Sequence, residues 1–308
     1  MRLLLPLLFS LSLSALAVDD YKLGPLSQEK PDVPKGKVIP MPAHESKIYA
    51  GTKRDWWIYV PAQYKAEQPA NLMVFQDGHD YVGLKGAWRV PVVFDNLIAS
   101  GDMQPTIAIF INPGHSGEVK PQSAWKNNNR GKEYNTLGDV YARFLLEEII
   151  PQVQKDYKLT ENPEGWAIAG ASSGAICAFT VAWHKPEAFG NVISFIGSYT
   201  SIGYRPATAT TPVIVGGDTY PGLIRKNPIR PIRIFLQDGA NDLNNEHGSW
   251  FLANQQMLSA LQWANANADL KKVAGPRYDV KFEWGDGAHA DTHGGWLLPG
   301  ILRWMFAP

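Results

Sequence analysis

Cysteine is nearly missing from this chain of 308 residues: Cys177 is the single one, so no disulfide can form within it. Excess charge of either sign is missing as well, with 29 Lys+Arg against 29 Asp+Glu. A near-neutral chain without basic clusters gives no footing for nucleic acid or an anionic membrane as partner. Internal repeats are absent. Long apolar runs are absent too, except at the start, where "MRLLLPLLFSLSLSALA" sets Arg2 before an apolar stretch ending in Ala-Leu-Ala. That pattern predicts a secretory signal peptide over residues 1–17, cleaved after Ala17. A membrane anchor is the competing reading, but the run is about 15 residues where a bilayer span needs ~20. The expectation is therefore an exported protein, periplasmic or secreted, with no membrane association after signal removal. Cys177 then reads as a small core residue on a buried helix, and its distance from the cleavage site argues against a lipid anchor.

What is present has the pattern of one α/β domain. Residues 18–45, rich in Pro and Lys, predict an extended N-terminal arm lying over a single domain of residues 46–308. "NLMVFQDG" and "TIAIFINPG" are short continuous apolar runs ended by Gly, as buried parallel strands require. "DWWIYV", "GWAIAG", "NVISFIG", "PIRIFLQDG" and "DVKFEWGDG" read as further strands. Between them, "LGDVYARFLLEEIIPQVQKDY", "GAICAFTVAWHK", "FLANQQMLSALQWANA" and "GGWLLPGILRWMF" read as helices. Alternation of this kind predicts a mostly parallel central sheet flanked by helices. The long stretch "YRPATATTPVIVGGDTYPGLIRKNP" predicts an excursion over the sheet edge.

The run "WAIAGASSGAICAF" carries the chemistry. Gly170-Ala171-Ser172-Ser173-Gly174 stands between an apolar strand and an apolar helix, the setting of a nucleophile elbow centred on Ser172. The alternative is a plain strand–helix turn. In an elbow the N–H of Ser173, at the helix start, can donate to a developing oxyanion. A serine needs a base, and the base needs an acid to orient it. "DGANDLNNEHGSW" offers Asp238, Asp242 and Glu246. Asp238 directly follows the strand and reads as a turn cap, so Asp242 is favoured, with Glu246 as rival. "GDGAHADTHGGW" offers His289, just past a strand, and His293, which reads as a cap or pocket residue at the start of the last helix. In "LMVFQDGHDYVG", Gly78 permits a tight turn after which the N–H of His79 would face the nucleophile as second oxyanion donor. The rival is an ordinary Asp-Gly turn.

The other histidines, His44, His115, His184 and His247, carry no catalytic signal. No cofactor is implied. No metal is expected either, because the i,i+4 pair His289 and His293 stands in a Gly-rich, non-helical setting without further ligands.

These segments, with "GTKRDWWIYVPAQY" and "NRGKEYNTLGDVYARFLLEEIIP", resemble the esterase D-like group of α/β-hydrolases over most of residues 50–305. That group holds enterochelin esterases and the carbohydrate esterases that act on feruloyl and acetylxylan esters. The resemblance implies an α/β-hydrolase fold with Ser172 as nucleophile, His289 as base, Asp242 as acid and the residue after Asp77-Gly78 as oxyanion donor. One departure is Gly174-Ala175, where many relatives carry two glycines. Ester hydrolysis through an acyl-enzyme is the expected activity. The substrate expectation is a small-molecule or polysaccharide ester, with Trp88, Trp250 and His293 as binding residues and Trp125 and Trp296 near the site. A siderophore esterase is the runner-up, for which Arg130, Lys132 and Arg225 are few and scattered. An acyltransferase, or a non-catalytic carbohydrate-binding protein with a vestigial triad, completes the alternatives.

Overall fold

The computed structural model describes residues 20–307, so the signal peptide expected over 1–17 lies outside the described residues. Eight strands form one sheet: β1 (Lys37–Pro40), β2 (Trp56–Val60), β3 (Asn71–Gln76), β4 (Thr106–Ile111), β5 (Trp166–Ala171), β6 (Asn191–Phe195), β7 (Arg233–Asn241) and β8 (Asp279–Ala288). Their order is β1-β2-β4-β3-β5-β6-β7-β8. β2 pairs antiparallel with β1 and β4, and every other pairing is parallel.

The central strands are continuously apolar because both their faces are covered. Leu72 and Val74 of β3 enter one core while Met73 and Phe75 enter the other, and Ile107 and Ile109 alternate with Ala108 and Phe110 in the same way. The first core lies under the helices α4 (Val140–Phe144), α5 (Ile150–Gln154), α6 (Ser173–His184), α7 (Tyr220–Lys226) and α8 (Trp250–Leu270). The second lies under α2 (Val90–Ala99) and α9 (Asp291–Phe306). Each fully buried Phe, Leu or Ile contributes roughly 1.5–3 kcal/mol.

Three features depart from the sequence expectation. The arm of residues 18–45 does not merely lie over the domain: residues 37–40 are the edge strand β1, and Tyr21 stacks on His293 with ring centroids 4.1 Å apart. The helix expected through residues 137–157 is two helices joined by a π-helical turn, Leu145–Ile149. Pro151, which has no N–H to give, follows that wider turn. Helix α2 was not anticipated, and the excursion after β6 ends in α7.

Candidate active site

Ser172 sits between β5 and α6 with φ +58° and ψ −123°, a conformation that costs a non-glycine residue about 1–3 kcal/mol. The small neighbours make the turn possible. A Cβ on Gly170 would lie 2.4 Å from the backbone of Gly174, and one on Gly174 would press on Gln76 and Asp77 at 3.1 and 3.2 Å. Ala175, the departure from a second glycine, is buried in α6. Among the described residues six non-glycines have positive φ, and three of them, Asp77, Ser172 and Ile196, line one pocket. They follow β3, β5 and β6, so backbone strain is concentrated at the carboxyl edge of the sheet.

The structure brings Ser172, His289 and Asp242 together from three loops. His289 Nε2 lies 2.9 Å from Ser172 Oγ, and His289 Nδ1 lies 2.6 Å from Asp242 Oδ1. With Nδ1–H donating to the carboxylate, Nε2 is left to accept the serine proton. Glu246, the rival acid, is exposed beside His247 instead. The Asp242 side chain has no solvent exposure. Burial by itself would raise its pKa, but hydrogen bonds from His289 and Asp238 and the charge of His289 prevail and hold it below the usual value.

Asp238 is the counterpart. Burial, together with the hydrogen bond and charge of Asp242, pushes its pKa up to about 9. Asp238 stands inside β7, paired in register with Trp284, and not in a turn after the strand as the sequence suggested. Its Oδ1 accepts the N–H of Gly239 and Oδ2 accepts from Asn254 Nδ2 at 2.6 Å.

Several expected binding residues stand elsewhere. Trp88 is buried and packs on Tyr81 and Phe195, with ring centroids 4.6 Å from each. It belongs to the core beneath the site. Trp250 is buried too, edge-on to His289, with its indole N–H donating to Ser198 Oγ at 2.9 Å. His293 is buried between Tyr21 and Gln237, with Nδ1 2.8 Å from Gln237 Nε2. These three are corrections: Trp88 is covered by α9, His293 by Tyr21 of the N-terminal segment, and Trp250 is held inward by its bond to Ser198. Trp296 is half exposed beside Tyr21 and does not line the pocket, whereas Trp125 does.

The His79 N–H expected to face the nucleophile donates to Asn112 Oδ1 at 3.0 Å, and the same oxygen meets His79 Nδ1 at 2.9 Å. The short helix α1 (Gly78–Tyr81) turns that amide toward β4. Ser173, at the first turn of α6, keeps its position beside Ser172.

Sequence reasoning missed Ser198, which is fully buried with Oγ 3.0 Å from Ser172 Oγ. Because Ser198 accepts from Trp250, its own hydroxyl proton is available to Ser172. It also missed the carboxylates of the pocket wall. A cavity of about 320 Å³ opens over Ser172 and His289, walled by Asp77, Asp80, Asp291 and Trp125. Arg130 also lines it, but its guanidinium is bidentate on Asp77 at 2.9 and 2.8 Å. Burial first, then the charge of Asp80, raises the Asp291 carboxyl to about 6, and burial raises that of Asp80 as well.

The sheet order, the strained serine turn after β5 and the side chains assembled from the loops after β7 and β8 define an α/β-hydrolase fold. The family model described as "Putative esterase" matches residues 48–285, and the chain belongs to that family. Among solved structures, the enterobactin esterase FES of Shigella flexneri is 20% identical with a TM-score of 0.63, over 91% of this chain and 61% of that one. The ferulic acid esterase AmCE1/Fae1A of Anaeromyces mucronatus is 16% identical with a TM-score of 0.61, over 90% and 93%. These likenesses carry the fold. Among curated proteins, Uncharacterized protein YjcH of Bacillus subtilis is 24% identical over 136 residues, 44% of this chain and 52% of that one. Uncharacterized protein YbbA of the same organism is 22% identical over 156 residues, 50% and 60%. The chain spans 52–60% of the length of these two relatives.

Proposed function

We propose that this protein is a serine carboxylic-ester hydrolase that removes feruloyl or acetyl groups from a plant polysaccharide or its fragments. The observation that carries the reading is the directed chain of hydrogen bonds from Asp242 through His289 to Ser172, which ends on a serine held in a strained turn. His289 takes the serine proton as Ser172 attacks the ester carbonyl. The N–H of Ser173 at the start of α6 receives the developing oxyanion. The alcohol leaves with the proton from His289, and water releases the acyl group by the same route. Ser198 adds a hydroxyl donor to Ser172 Oγ, which eases its deprotonation.

The sign of the pocket supports a neutral, hydroxyl-rich substrate. Carboxylates accept hydrogen bonds from sugar hydroxyls, and Asp80 and Asp291 stand on the wall where an anionic iron chelate would meet repulsion. The one guanidinium there is already paired with Asp77. Lys132 and Arg225 do not line this pocket. The amino-terminal pattern of residues 1–17 supports an exported enzyme.

The test is a paired assay of the protein and its Ser172→Ala variant on p-nitrophenyl acetate, methyl ferulate and acetylated xylan. Wild-type hydrolysis that falls by about 10⁴-fold or more in the variant is the expected result. Fluorophosphonate labelling of wild type and not of Ser172→Ala supports the nucleophile independently. A wild type that neither hydrolyses these esters nor labels sinks the reading in favour of a binding protein. Transfer to a second alcohol in preference to water would make it an acyltransferase.

A further inference from the structure

We propose that Asp238 is a positioning residue: its carboxyl stays neutral and donates its proton to Oδ2 of Asp242, keeping that carboxylate charged and aimed at His289. The inference rests on the reading above, in which Asp242 orients His289.

The geometry begins with the two oxygens of Asp242. Oδ1 takes the Nδ1–H of His289 and the N–H of Leu243. Oδ2 is buried, and no N–H or hydroxyl among the described residues reaches it. The carboxyl of Asp238, itself without solvent exposure, is in hydrogen-bond contact with that of Asp242, and Oδ2 is the oxygen of Asp242 left open to it. Two carboxylates in such contact inside a protein cannot both be ionised, so one holds a proton between them.

The surroundings decide which one. Asp242 faces the imidazole that must become a cation during the reaction. Asp238 faces only neutral groups apart from Asp242: the amide of Asn254 on α8, the N–H of Gly239, and Trp284 opposite it on β8. Of the acids on β8 around this position, Glu283 pairs in register with Gln237 and is exposed, and Asp286 is turned to the hydroxyl of Tyr21. No lysine or arginine among the described residues pairs with either carboxyl. Asn254 is itself pinned by the Gly197 carbonyl, so the amide that holds Asp238 belongs to the same rigid edge as Ser198. The proton therefore stays on Asp238. Loss of that proton would remove the donor to Oδ2 and set two like charges side by side, turning Asp242 away from His289.

The experiment compares wild type, Asp238→Ala and Asp238→Asn by ester hydrolysis and by the rate of fluorophosphonate labelling from neutral to alkaline pH. Infrared difference spectra of wild type minus Asp238→Asn accompany the kinetics. Asp238→Ala is expected to lose roughly 10- to 100-fold in kcat with KM little changed, the scale of a hydrogen bond to a charged group. Asp238→Asn keeps a donor for Oδ2 and recovers most of that loss. The wild-type rate falls on the alkaline side, and this fall is missing from Asp238→Asn. At neutral pH the wild type shows the carbonyl stretch of a protonated carboxylic acid that Asp238→Asn lacks. An Asn variant as impaired as Ala with the same alkaline fall overturns the proposal, and so does absence of the acid band. If Asp238→Ala does not fold, the band and the Asn profile still decide. If the wild type is inert toward esters and probe alike, the hydrolase reading fails while the band alone locates the proton.

Discussion

The tripeptide Gln-Asp-Gly occurs twice at the carboxyl side of the sheet, running off the end of β3 as Gln76-Asp77-Gly78 and lying within the carboxyl half of β7 as Gln237-Asp238-Gly239, and the two copies end in opposite chemistry. What they share is steric. A Cβ on Gly78 would stand 2.3 Å from the backbone of Phe110 and Ile111, and one on Gly239 would stand 2.1 Å from the Gly287 carbonyl oxygen. In both places a neighbouring strand passes where a side chain would be. Both glutamines are buried and tie the strand to the next layer, Gln76 accepting from Tyr141 at 2.6 Å and Gln237 meeting His293 at 2.8 Å. The aspartates differ because of what the fold sets opposite them. Asp77 meets the guanidinium of Arg130, whereas Asp238 meets the carboxyl of Asp242 and the amide of Asn254. The same three letters thus give an ion pair on one side of Ser172 and a shared proton on the other. A buried acid takes its state from its partner and not from its local sequence.

The shared part of this comparison breaks most severely. Gly78→Ala and Gly239→Ala should each destabilise the fold by more than about 3 kcal/mol, since the added methyl meets backbone that cannot step aside. Urea unfolding of both variants checks it, and tolerance of either methyl would show that the two turns are not equivalent.

Next in size is the cation. Arg130→Met leaves Asp77 without its partner, at a cost of about 2–3 kcal/mol, reduced from the fully buried case because the pocket admits solvent. Among the described residues no corresponding cation stands beside Asp238 to remove.

The third effect is a slope. Asp238 has its native pKa raised from 3.8 to about 9, so the folded chain holds a proton there that the unfolded chain releases. Stability from this group is greatest below pH 3.8 and declines until pH passes about 9. Asp238→Asn should match the wild type most closely at low pH, where the position is neutral in both chains, and gain stability relative to it as pH rises, flattening that decline. Unfolding midpoints measured along a pH series decide it, and an unchanged slope would show that Asp238 holds no proton in the folded chain.

Smallest is the third acid at the pocket, Asp291. Its carboxyl is raised only to about 6, so the same sign of slope is confined between 3.8 and that value. Asp291→Asn should remove it and leave the alkaline side untouched.

How much of this was legible depended on whether a property is local. Strands β3 to β7 could be read because each faces apolar layers on both sides, which leaves a continuous hydrophobic run in the sequence. The serine turn could be read because the backbone crossing at Gly170 and Gly174 tolerates only small residues. Chain order then pointed to Asp242 and His289, which the fold does bring to Ser172. Helix α2 was harder to see. Val90, Val92 and Val93 read as strand by propensity, and only Pro91, in its first turn, marked a helix start. Trp88, Trp250 and His293 were misplaced because a count of rings near a site does not say which way they face.

Ser198 carried no motif at all, and Asp238 looked like a simple turn cap. Their roles come from Trp250, Asn254 and Asp242, which lie up to 52 residues away in the chain. The amino-acid sequence by itself determined the layered α/β architecture, the strained serine and the order in which its partners arrive, because periodicity and small-residue turns are short-range constraints. The tertiary structure alone decided the sign of the pocket, the engagement of the His79 amide with Asn112 and the state of each buried aspartate. Electrostatic environment and hydrogen-bond direction are set by which distant side chains the fold places within about 3 Å of one another.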